Sequence, residues 1–222
     1  MTLSRSRINW PATRETAIVP ARTALLVVDM QNYCAQPGEG SLAKPHPDYA
    51  YYRDRLETTV VPNLQRLIQA FREGGVEVMY TVIESLTQDG RDRSLDHKHS
   101  HIHVPRGSRL GRVIDALAPG EDDIVLPKSA SGVFNATNIE YVLRNLGVEY
   151  LVIAGVYTNQ CVESAVRDAA DRGFMVTLVE DCCATKTKAW HTAALDTLKG
   201  YGRIRSADQV IAELGEQRAA AQ

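Results

Sequence analysis

The chain has 222 residues, of which 44% are hydrophobic and 23% charged, and it carries a formal net charge of -2. This balance gives no field that would attract nucleic acid or an anionic membrane, and no apolar run approaches the roughly 18 to 20 residues that span a bilayer. Because the basic N-terminus also lacks the apolar core of a signal peptide, we expect one cytoplasmic domain over residues 1–222, with its core at about residues 23–205.

Five short apolar segments predict the strands of a sheet, because each is rich in β-branched residues and is followed by polar or turn residues. In chain order they are residues 24–28, 76–83, 124–126, 150–154 and 176–179, the last ending at Glu180 and Asp181. Residues 61–73, 138–146 and 162–171 are predicted helices, the first two from apolar residues at helical spacing. This alternation predicts a Rossmann-like α/β fold of three layers, with a central, mostly parallel sheet between helices.

Four cysteines, Cys34, Cys161, Cys182 and Cys183, have neither the paired spacing of a metal knuckle nor the density of a secreted disulfide framework. We expect free thiols in a reducing compartment. The adjacent pair Cys182 and Cys183 is interpreted as structural rather than as a redox centre.

Polar residues follow several predicted strands at the point where each strand ends. Asp29 follows the first strand, Glu84 the second, Lys128 the strand at residues 124–126, and residues 158–161 the strand at residues 150–154. Parallel α/β sheets bind ligands beyond the carboxyl ends of their strands, so we expect these residues to converge on one crevice.

Cys161 is the candidate nucleophile of this crevice. It lies between a strand and a helix, where the helix N-terminus would lower the thiol pKa, although most buried cysteines only pack. Asp29 could take the thiol proton, and Lys128 could stabilise a thiolate and developing negative charge. Taken singly, Asp29 could instead be a turn or helix-cap residue, and Lys128 a solvated lysine.

Histidines alternate with other residues at His97, His99, His101 and His103. On an extended segment they would point to one side, as metal ligands do. The segment is charged, however, and Pro105 and Gly107 follow it, so we favour a surface or lid loop over a metal site. With Arg106 and Arg109, this loop could bind a substrate carboxylate or could simply be solvated.

Three motifs resemble the isochorismatase-like cysteine hydrolases over about residues 23–201. Residues 25–32 read LLVVDMQN, residues 126–128 read LPK, and residues 154–162 read AGVYTNQCV, in the order and spacing of that superfamily. The resemblance implies a triad of Asp29, Lys128 and Cys161, in which Cys161 attacks a carbonyl to form an acyl-enzyme and Asp29 shuttles protons. It also implies a cis peptide bond between Val156 and Tyr157, and an oxyanion hole formed by the backbone amides of Tyr157 and Cys161.

The superfamily includes nicotinamidases, isochorismatases proper, and amidohydrolases of N-carbamoylsarcosine, ureidoacrylate and biuret, and three departures narrow the choice. Residues 83–86 read IESL where nicotinamidases typically carry an Asp-Trp-His-type metal motif, so we expect neither a metal nor a cofactor. Cys161 stands where isochorismatases proper commonly have glycine, which favours amide over vinyl-ether hydrolysis. Tyr157 is bulkier than the residue often found there, and would narrow the pocket or lie against it.

The predicted substrate is a compact, polar, planar amide of the carbamoyl or ureido type. Six candidate contacts are proposed from their positions: Asn32, Tyr33, Glu84, Phe134, Asn135 and Tyr157. Phe134 is equally interpreted as core packing. A homo-oligomer, either dimer or tetramer, is expected from the resemblance and from small residues within residues 162–170. Vinyl-ether hydrolysis and a non-catalytic binding role on the same fold stay open as alternatives.

Overall fold

The computed structural model describes residue 11, residues 13–44 and residues 46–220. At its centre lies a six-stranded sheet of order β3-β2-β1-β4-β5-β6, in which neighbouring strands are parallel. The predicted α/β fold with a parallel sheet is therefore confirmed. The strands are β1 (Thr23–Val28), β2 (Glu77–Ile83), β3 (Ile124–Lys128), β4 (Tyr150–Val156), β5 (Met175–Ala184) and β6 (Arg203–Arg205).

Helices connect the strands and cover both faces of the sheet. They are α1 (Asn32–Ala35), α2 (Ala50–Arg55), α3 (Val61–Glu73), α4 (Leu95–His99), α5 (Val133–Ala136), α6 (Ile139–Asn145), α7 (Glu163–Asp171), α8 (Lys188–Leu198) and α9 (Ala207–Ala220). Helices α3 and α9 contact each other and the sheet, whereas α7 contacts β4 and β5 together with α5 and α8. Crossovers between parallel strands are right-handed, so these two groups of helices are assigned to opposite faces of the sheet, which gives three layers.

The central strands are apolar because helices cover both faces of the sheet. Every residue of β1 and β4 is buried, as is typical of parallel strands between two helical layers. Helix α3 buries Leu64, Leu67, Ile68 and Phe71, the stripe that its helical spacing predicts. Within the described part of the chain, no helix combines the length and the apolar character needed to cross a membrane.

The end of β5 and the last helix differ from the prediction. Strand β5 continues through Glu180 and Asp181, and the Asp181 carboxylate accepts the backbone N–H of Ala207, at the start of α9, at 2.8 Å. Cys182 and Cys183 consequently lie within the strand and are fully buried. Helix α9 buries further apolar residues against the sheet, so the core extends beyond residue 205.

Gly155 lies where β4 approaches β1 most closely. It pairs with Val28 and has a φ of +120°. A Cβ atom at this position would stand 2.1 Å from the carbonyl oxygen of Val28, a distance that no side chain can adopt. The missing side chain therefore allows the ends of β1 and β4 to meet.

Candidate active site

The carboxyl ends of β1 and β4 form the point at which the order of the strands reverses. From β1 the chain continues to β2 and β3 on one side, and from β4 it continues to β5 and β6 on the other. A ligand crevice is expected outside such a switch point. Asp29 follows β1 directly at this edge, and Cys161 lies in a π-helical turn after β4, Thr158–Val162, which we call the cysteine turn.

Lys128 brings the other two predicted catalytic residues together. Its Nζ atom lies 2.8 Å from Oδ2 of Asp29 and 3.5 Å from Sγ of Cys161, and it donates to the carbonyl of Ala130 at 3.0 Å. All three of these ionisable side chains are buried. Asp29, Lys128 and Cys161 thus form one compact cluster, the polar cluster, although they lie far apart in the sequence.

Thr81 on β2 fixes the orientation of the Asp29 carboxylate. The Thr81 hydroxyl donates to Oδ1 at 2.9 Å, and the backbone N–H of Asp29 donates to the Thr81 carbonyl at 3.0 Å. Asp29 has a φ of 53°, in the left-handed region that aspartate tolerates better than most residues. With Oδ1 held by Thr81, Oδ2 faces Lys128.

Burial and the neighbouring charges set the protonation of the cluster. Burial would lower the pKa of Lys128, but the Asp29 carboxylate beside it, and then Cys161, raise that pKa above its ordinary value. Lys128 is therefore a fixed cation. Burial raises the pKa of the Cys161 thiol to about 12, since the lowering by Lys128 is opposed by the charge of Asp29.

The pKa of Cys161 corrects one expectation from the sequence. We expected the helix N-terminus to lower it, but the cysteine turn separates Cys161 from α7, which begins at Glu163, and burial dominates. The free protein consequently holds a protonated thiol at neutral pH. Asp29, whose carboxylate hydrogen-bonds with this thiol, is the group placed to take its proton.

Several contacts hold the cysteine turn in place. The peptide bond between Val156 and Tyr157 is cis, at the position that the resemblance implied. The backbone N–H groups of Gln160 and Val162 both donate to the Tyr157 carbonyl, at 3.0 and 3.3 Å, and the Thr185 hydroxyl donates to Oδ1 of Asn159 at 2.6 Å. The turn is thus held by the residues that directly follow β4 and β5.

A cavity of about 520 Å³ opens above the polar cluster. Its lining is mixed, with tyrosine and serine hydroxyls, two thiols and charged groups: Asp29, Tyr33, Cys34, Ser41, Tyr49, Ile83, Asp96, His97, Ser100, Ile102, Ser131, Tyr157, Gln160, Cys161 and Lys186. Tyr157 lines the cavity and hydrogen-bonds to Ser41, with 3.1 Å between their oxygens. This volume and polarity suit one small polar molecule.

Two of the six predicted substrate contacts, Tyr33 and Tyr157, line this cavity, and the other four do not. Asn32 is buried and donates to the Arg109 carbonyl at 2.9 Å, while Glu84 accepts the backbone N–H of Gly107 at 3.1 Å. Phe134 packs against Phe174 in the core, with ring centroids 6.1 Å apart. Asn135 is exposed on α5. None of these four residues lines the cavity above the polar cluster.

His97 lines the cavity, although the sequence predicts a surface or lid loop for this segment. The segment forms helix α4, which turns His97 inward while His99 and His101 stay exposed. Its Nε2 atom lies 3.3 Å from the hydroxyl of Ser131, and its Nδ1 atom is buried without a hydrogen-bond partner. Burial and then the charge of Lys128 lower the pKa of His97, so the imidazole is neutral at pH 7.

The other residues of that segment do not form a ligand site at the cavity. Over residues 13–44 and 46–220, no three or more His, Cys, Asp or Glu side chains are grouped so that they could hold a metal ion. Arg109 pairs with Glu39 at 3.0 Å, and its side chain is 58% exposed. Neither Arg106 nor Arg109 lines the cavity, which corrects the suggestion that they bind a substrate carboxylate there.

Comparison with known proteins gives a consistent result. The isochorismatase domain model matches residues 23–209. An Arabidopsis thaliana protein named probable inactive nicotinamidase is 33% identical over 187 residues, which cover 81% of this chain and 89% of that protein. A ureidoacrylate amidohydrolase from Serratia proteamaculans is 35% identical over 180 residues, covering 72% and 69%. The crystal structure of a cysteine hydrolase from Pseudomonas syringae pv. phaseolicola matches with a TM-score of 0.79 and 28% identity, covering 91% of this chain and 96% of that one.

Proposed function

This chain belongs to the isochorismatase family of hydrolases, and we propose that it is a cysteine-dependent amidohydrolase that cleaves the C–N bond of a small, non-peptide amide. The observation that carries the proposal is the position of Lys128, whose ammonium contacts both Asp29 and Cys161 below the cavity. A thiol, a carboxylate and a fixed cation in contact are the components that nucleophilic acyl transfer requires.

In the acylation step, Sγ of Cys161 attacks the carbonyl carbon of the amide while its proton passes to Asp29. The C–S bond forms, and the carbonyl electron pair moves onto the oxygen. The tetrahedral intermediate then collapses with cleavage of the C–N bond, and Asp29 returns the proton to the leaving nitrogen. The products of this half-reaction are ammonia or an amine and a thioester on Cys161.

Water completes the cycle in the second step. Asp29 takes one proton from the water as the water oxygen attacks the thioester carbonyl. Cleavage of the C–S bond then releases the acid, and Asp29 returns that proton to the sulfur of Cys161. Lys128 keeps its positive charge throughout and stabilises the sulfur of Cys161 whenever that sulfur carries negative charge. The backbone amides of Tyr157 and Cys161 are the proposed oxyanion donors, and one such donor typically contributes about a hundredfold in rate.

We propose a carbamoyl or ureido compound as the substrate class. The cavity of about 520 Å³ suits a compact molecule, and its hydroxyl groups from Tyr33, Ser41 and Tyr157 can hydrogen-bond a planar, polar group. The relative from Serratia proteamaculans, named for ureidoacrylate, adds support for this class. The reaction as written uses no metal or cofactor, so prolonged chelation should leave the rate unchanged.

Cytoplasmic location and a homo-oligomeric assembly are also proposals. The four cysteines are free and buried, which suits a reducing compartment. The small residues of α7 no longer argue for assembly, because Ala165 and Ala169 are already buried in the chain's own core. Light scattering decides the second proposal, and a mass near the 24.5 kDa of one chain would contradict it.

A substrate panel tests the proposed activity. Nicotinamide, biuret, ureidoacrylate and carbamoyl amino acids are assayed for release of ammonia or an amine, with wild type beside Cys161→Ala and Cys161→Ser. Both variants should lose turnover and keep the wild-type far-UV circular dichroism. Cys182→Ala, which removes a thiol from β5 outside the cavity, is the matched control. More than a few per cent of activity in either Cys161 variant would exclude a covalent mechanism at this residue.

A further inference from the structure

A buried histidine on α8 contacts the cysteine turn from the side away from the cavity. His191 is 4% exposed and does not line the cavity above Cys161. Its Nδ1 atom lies 2.9 Å from the hydroxyl of Thr158, and its Nε2 atom lies 3.0 Å from Nη2 of Arg55. The reaction described above gives no role to any of these three side chains.

These contacts fix the tautomer of His191. The guanidinium of Arg55 can only donate hydrogen bonds, so Nε2 must be the acceptor and cannot carry a proton. The neutral ring then carries its hydrogen on Nδ1 and donates it to the Thr158 hydroxyl. Burial and then the charge of Arg55 lower the pKa of His191 to about 4, which agrees with a ring that stays neutral at physiological pH.

Arg55 is itself anchored to the sheet. Its Nε atom donates to the carbonyl of Cys183 at 2.8 Å, and Nη2 donates to the carbonyl of Glu180 at 2.9 Å. Both carbonyls belong to β5. A continuous set of hydrogen bonds therefore runs from β5 through Arg55 and His191 to the fully buried Thr158, the first residue of the cysteine turn.

We propose that His191 is a positioning residue for Cys161: its Nδ1–H holds Thr158 and so fixes the cysteine turn, and with it Sγ, relative to Lys128. This inference rests on the proposed function only in that Cys161 is the reacting group. A displacement of about 1 Å at a reacting atom can cost on the order of a hundredfold in rate. Loss of the contact should therefore lower kcat and leave KM nearly unchanged.

Two substitutions of His191 by residues with amide side chains test this inference, because each places its amide near a different nitrogen of the imidazole ring. His191→Asn places an amide nitrogen near the Nδ1 position, where it can still donate to Thr158. His191→Gln extends one bond further, toward the Nε2 position, and leaves Thr158 without its donor. We expect His191→Asn to keep most of kcat and His191→Gln to lose roughly tenfold or more, with KM within about twofold of wild type in both.

Variants at the other end of the contact repeat the comparison without altering α8. Thr158→Ser keeps the hydroxyl and should keep most of kcat, whereas Thr158→Val preserves the shape, removes the hydroxyl and should lose as much as His191→Gln. Thr192→Ala, at an exposed position of α8 next to His191, is the control. Equal losses in the conservative and the disruptive member of each pair would overturn the inference, as would wild-type kcat in His191→Gln and Thr158→Val.

Alkylation of Cys161 separates this inference from the proposed activity. The rate of iodoacetamide modification at Cys161, followed by mass spectrometry, needs no substrate. It should differ from wild type in His191→Gln and Thr158→Val and match wild type in His191→Asn and Thr158→Ser. If no amide in the panel is hydrolysed, the proposed activity is refuted, but this ranking of alkylation rates still supports the positioning role of His191. An unchanged alkylation rate in all four variants refutes the positioning role.

Discussion

The ammonium of Lys128 and the carboxylate of Asp29 form an ion pair of 2.8 Å in which neither side chain is more than 1% exposed. Two buried opposite charges in contact balance each other, and removal of one leaves the other desolvated and unpaired. Because the same ammonium also contacts Cys161, stability and reactivity are coupled at this pair.

Lys128→Met should destabilise the protein and make Cys161 less acidic. Leaving a buried carboxylate unpaired typically costs about 3 to 5 kcal/mol, and the pKa of Cys161 should rise because Lys128 is the group that lowers it. Urea denaturation measures the first effect, and the pH dependence of thiol alkylation measures the second. The double variant Asp29→Asn with Lys128→Met removes both charges and should recover part of the lost stability. An alkylation profile unchanged from wild type would remove Lys128 from the proposed mechanism.

Asp29→Asn should abolish most of the activity, and it should also lower the stability, because the buried Lys128 ammonium loses its counter-charge; urea denaturation shows whether the variant is folded under the assay conditions. The amide keeps the size of the carboxylate, and its oxygen can still accept the hydrogen bond from Thr81, but it cannot take the thiol proton. We expect kcat to fall by about a hundredfold or more, the usual contribution of general acid-base catalysis. Thr81→Val leaves the carboxylate in place and removes only its hydrogen bond, so kcat should fall less in this variant than in Asp29→Asn. A larger loss in Thr81→Val than in Asp29→Asn would contradict proton transfer at Asp29.

His97 and Ser131 should contribute to substrate binding as a pair. Both line the cavity, and their hydrogen bond places a neutral imidazole and a hydroxyl beside the polar cluster. Loss of one neutral hydrogen bond typically costs about 1 kcal/mol, so His97→Asn and Ser131→Ala should each raise KM roughly fivefold to tenfold. KM of the double variant should be only slightly higher than KM of either single variant, because both changes remove the same contact. Thr192→Ala, at an exposed position outside the cavity, is the control, and additive effects in the double variant would argue for two independent contacts.

The protein should lose stability as the pH falls from about 6.5 to about 4. Unfolded histidine binds a proton near pH 6.5, whereas the pKa of His191 in the folded protein is lowered to about 4 by burial and by Arg55. Over that interval the unfolded chain binds more protons, so acidification favours unfolding, by about 3 kcal/mol in all for this group. Denaturant titrations at about pH 7 and about pH 4.5 measure the change. It should be smaller in His191→Asn than in wild type, and an identical change would show that His191 is not responsible.

The strands and the polar cluster could be predicted from the sequence because they depend on local signals. The apolar segments of β1, β2 and β4 are long enough to be recognised alone, and the residues after parallel strands meet at one edge of the sheet. Strand β6 was missed because its three residues, Arg203–Arg205, are mostly polar. They form a strand only because β5 offers a free edge, as the pairing of Ile204 with Leu178 shows.

The lining of the cavity could be predicted only in part, because proximity in sequence does not determine the direction of a side chain. Phe134 lies on a short helix whose buried face packs into the core. Glu84 follows β2, and its carboxylate accepts the backbone N–H of Gly107. His97 was placed in a loop because the charged residues around it are typical of a surface segment. Ser94 is the N-terminal cap of this helix, and such a capping residue was the signal that could have predicted α4; the only apolar residue of the helix, Leu95, is exposed, so the sequence carries no apolar spacing that marks the inward face of His97.

The contact between Gly155 and Val28 restricts which residues the chain tolerates next to the cluster. A library randomised at position 155 should return glycine alone after selection for folded protein, because any Cβ would collide with a backbone oxygen that has no freedom to move. Gly107 offers the comparison, since it also has a positive φ, of +74°, but has nothing within 4 Å of a Cβ. There, asparagine and aspartate should survive beside glycine. Sequencing the survivors at both positions would show whether steric contact, rather than backbone conformation alone, sets the tolerance at position 155.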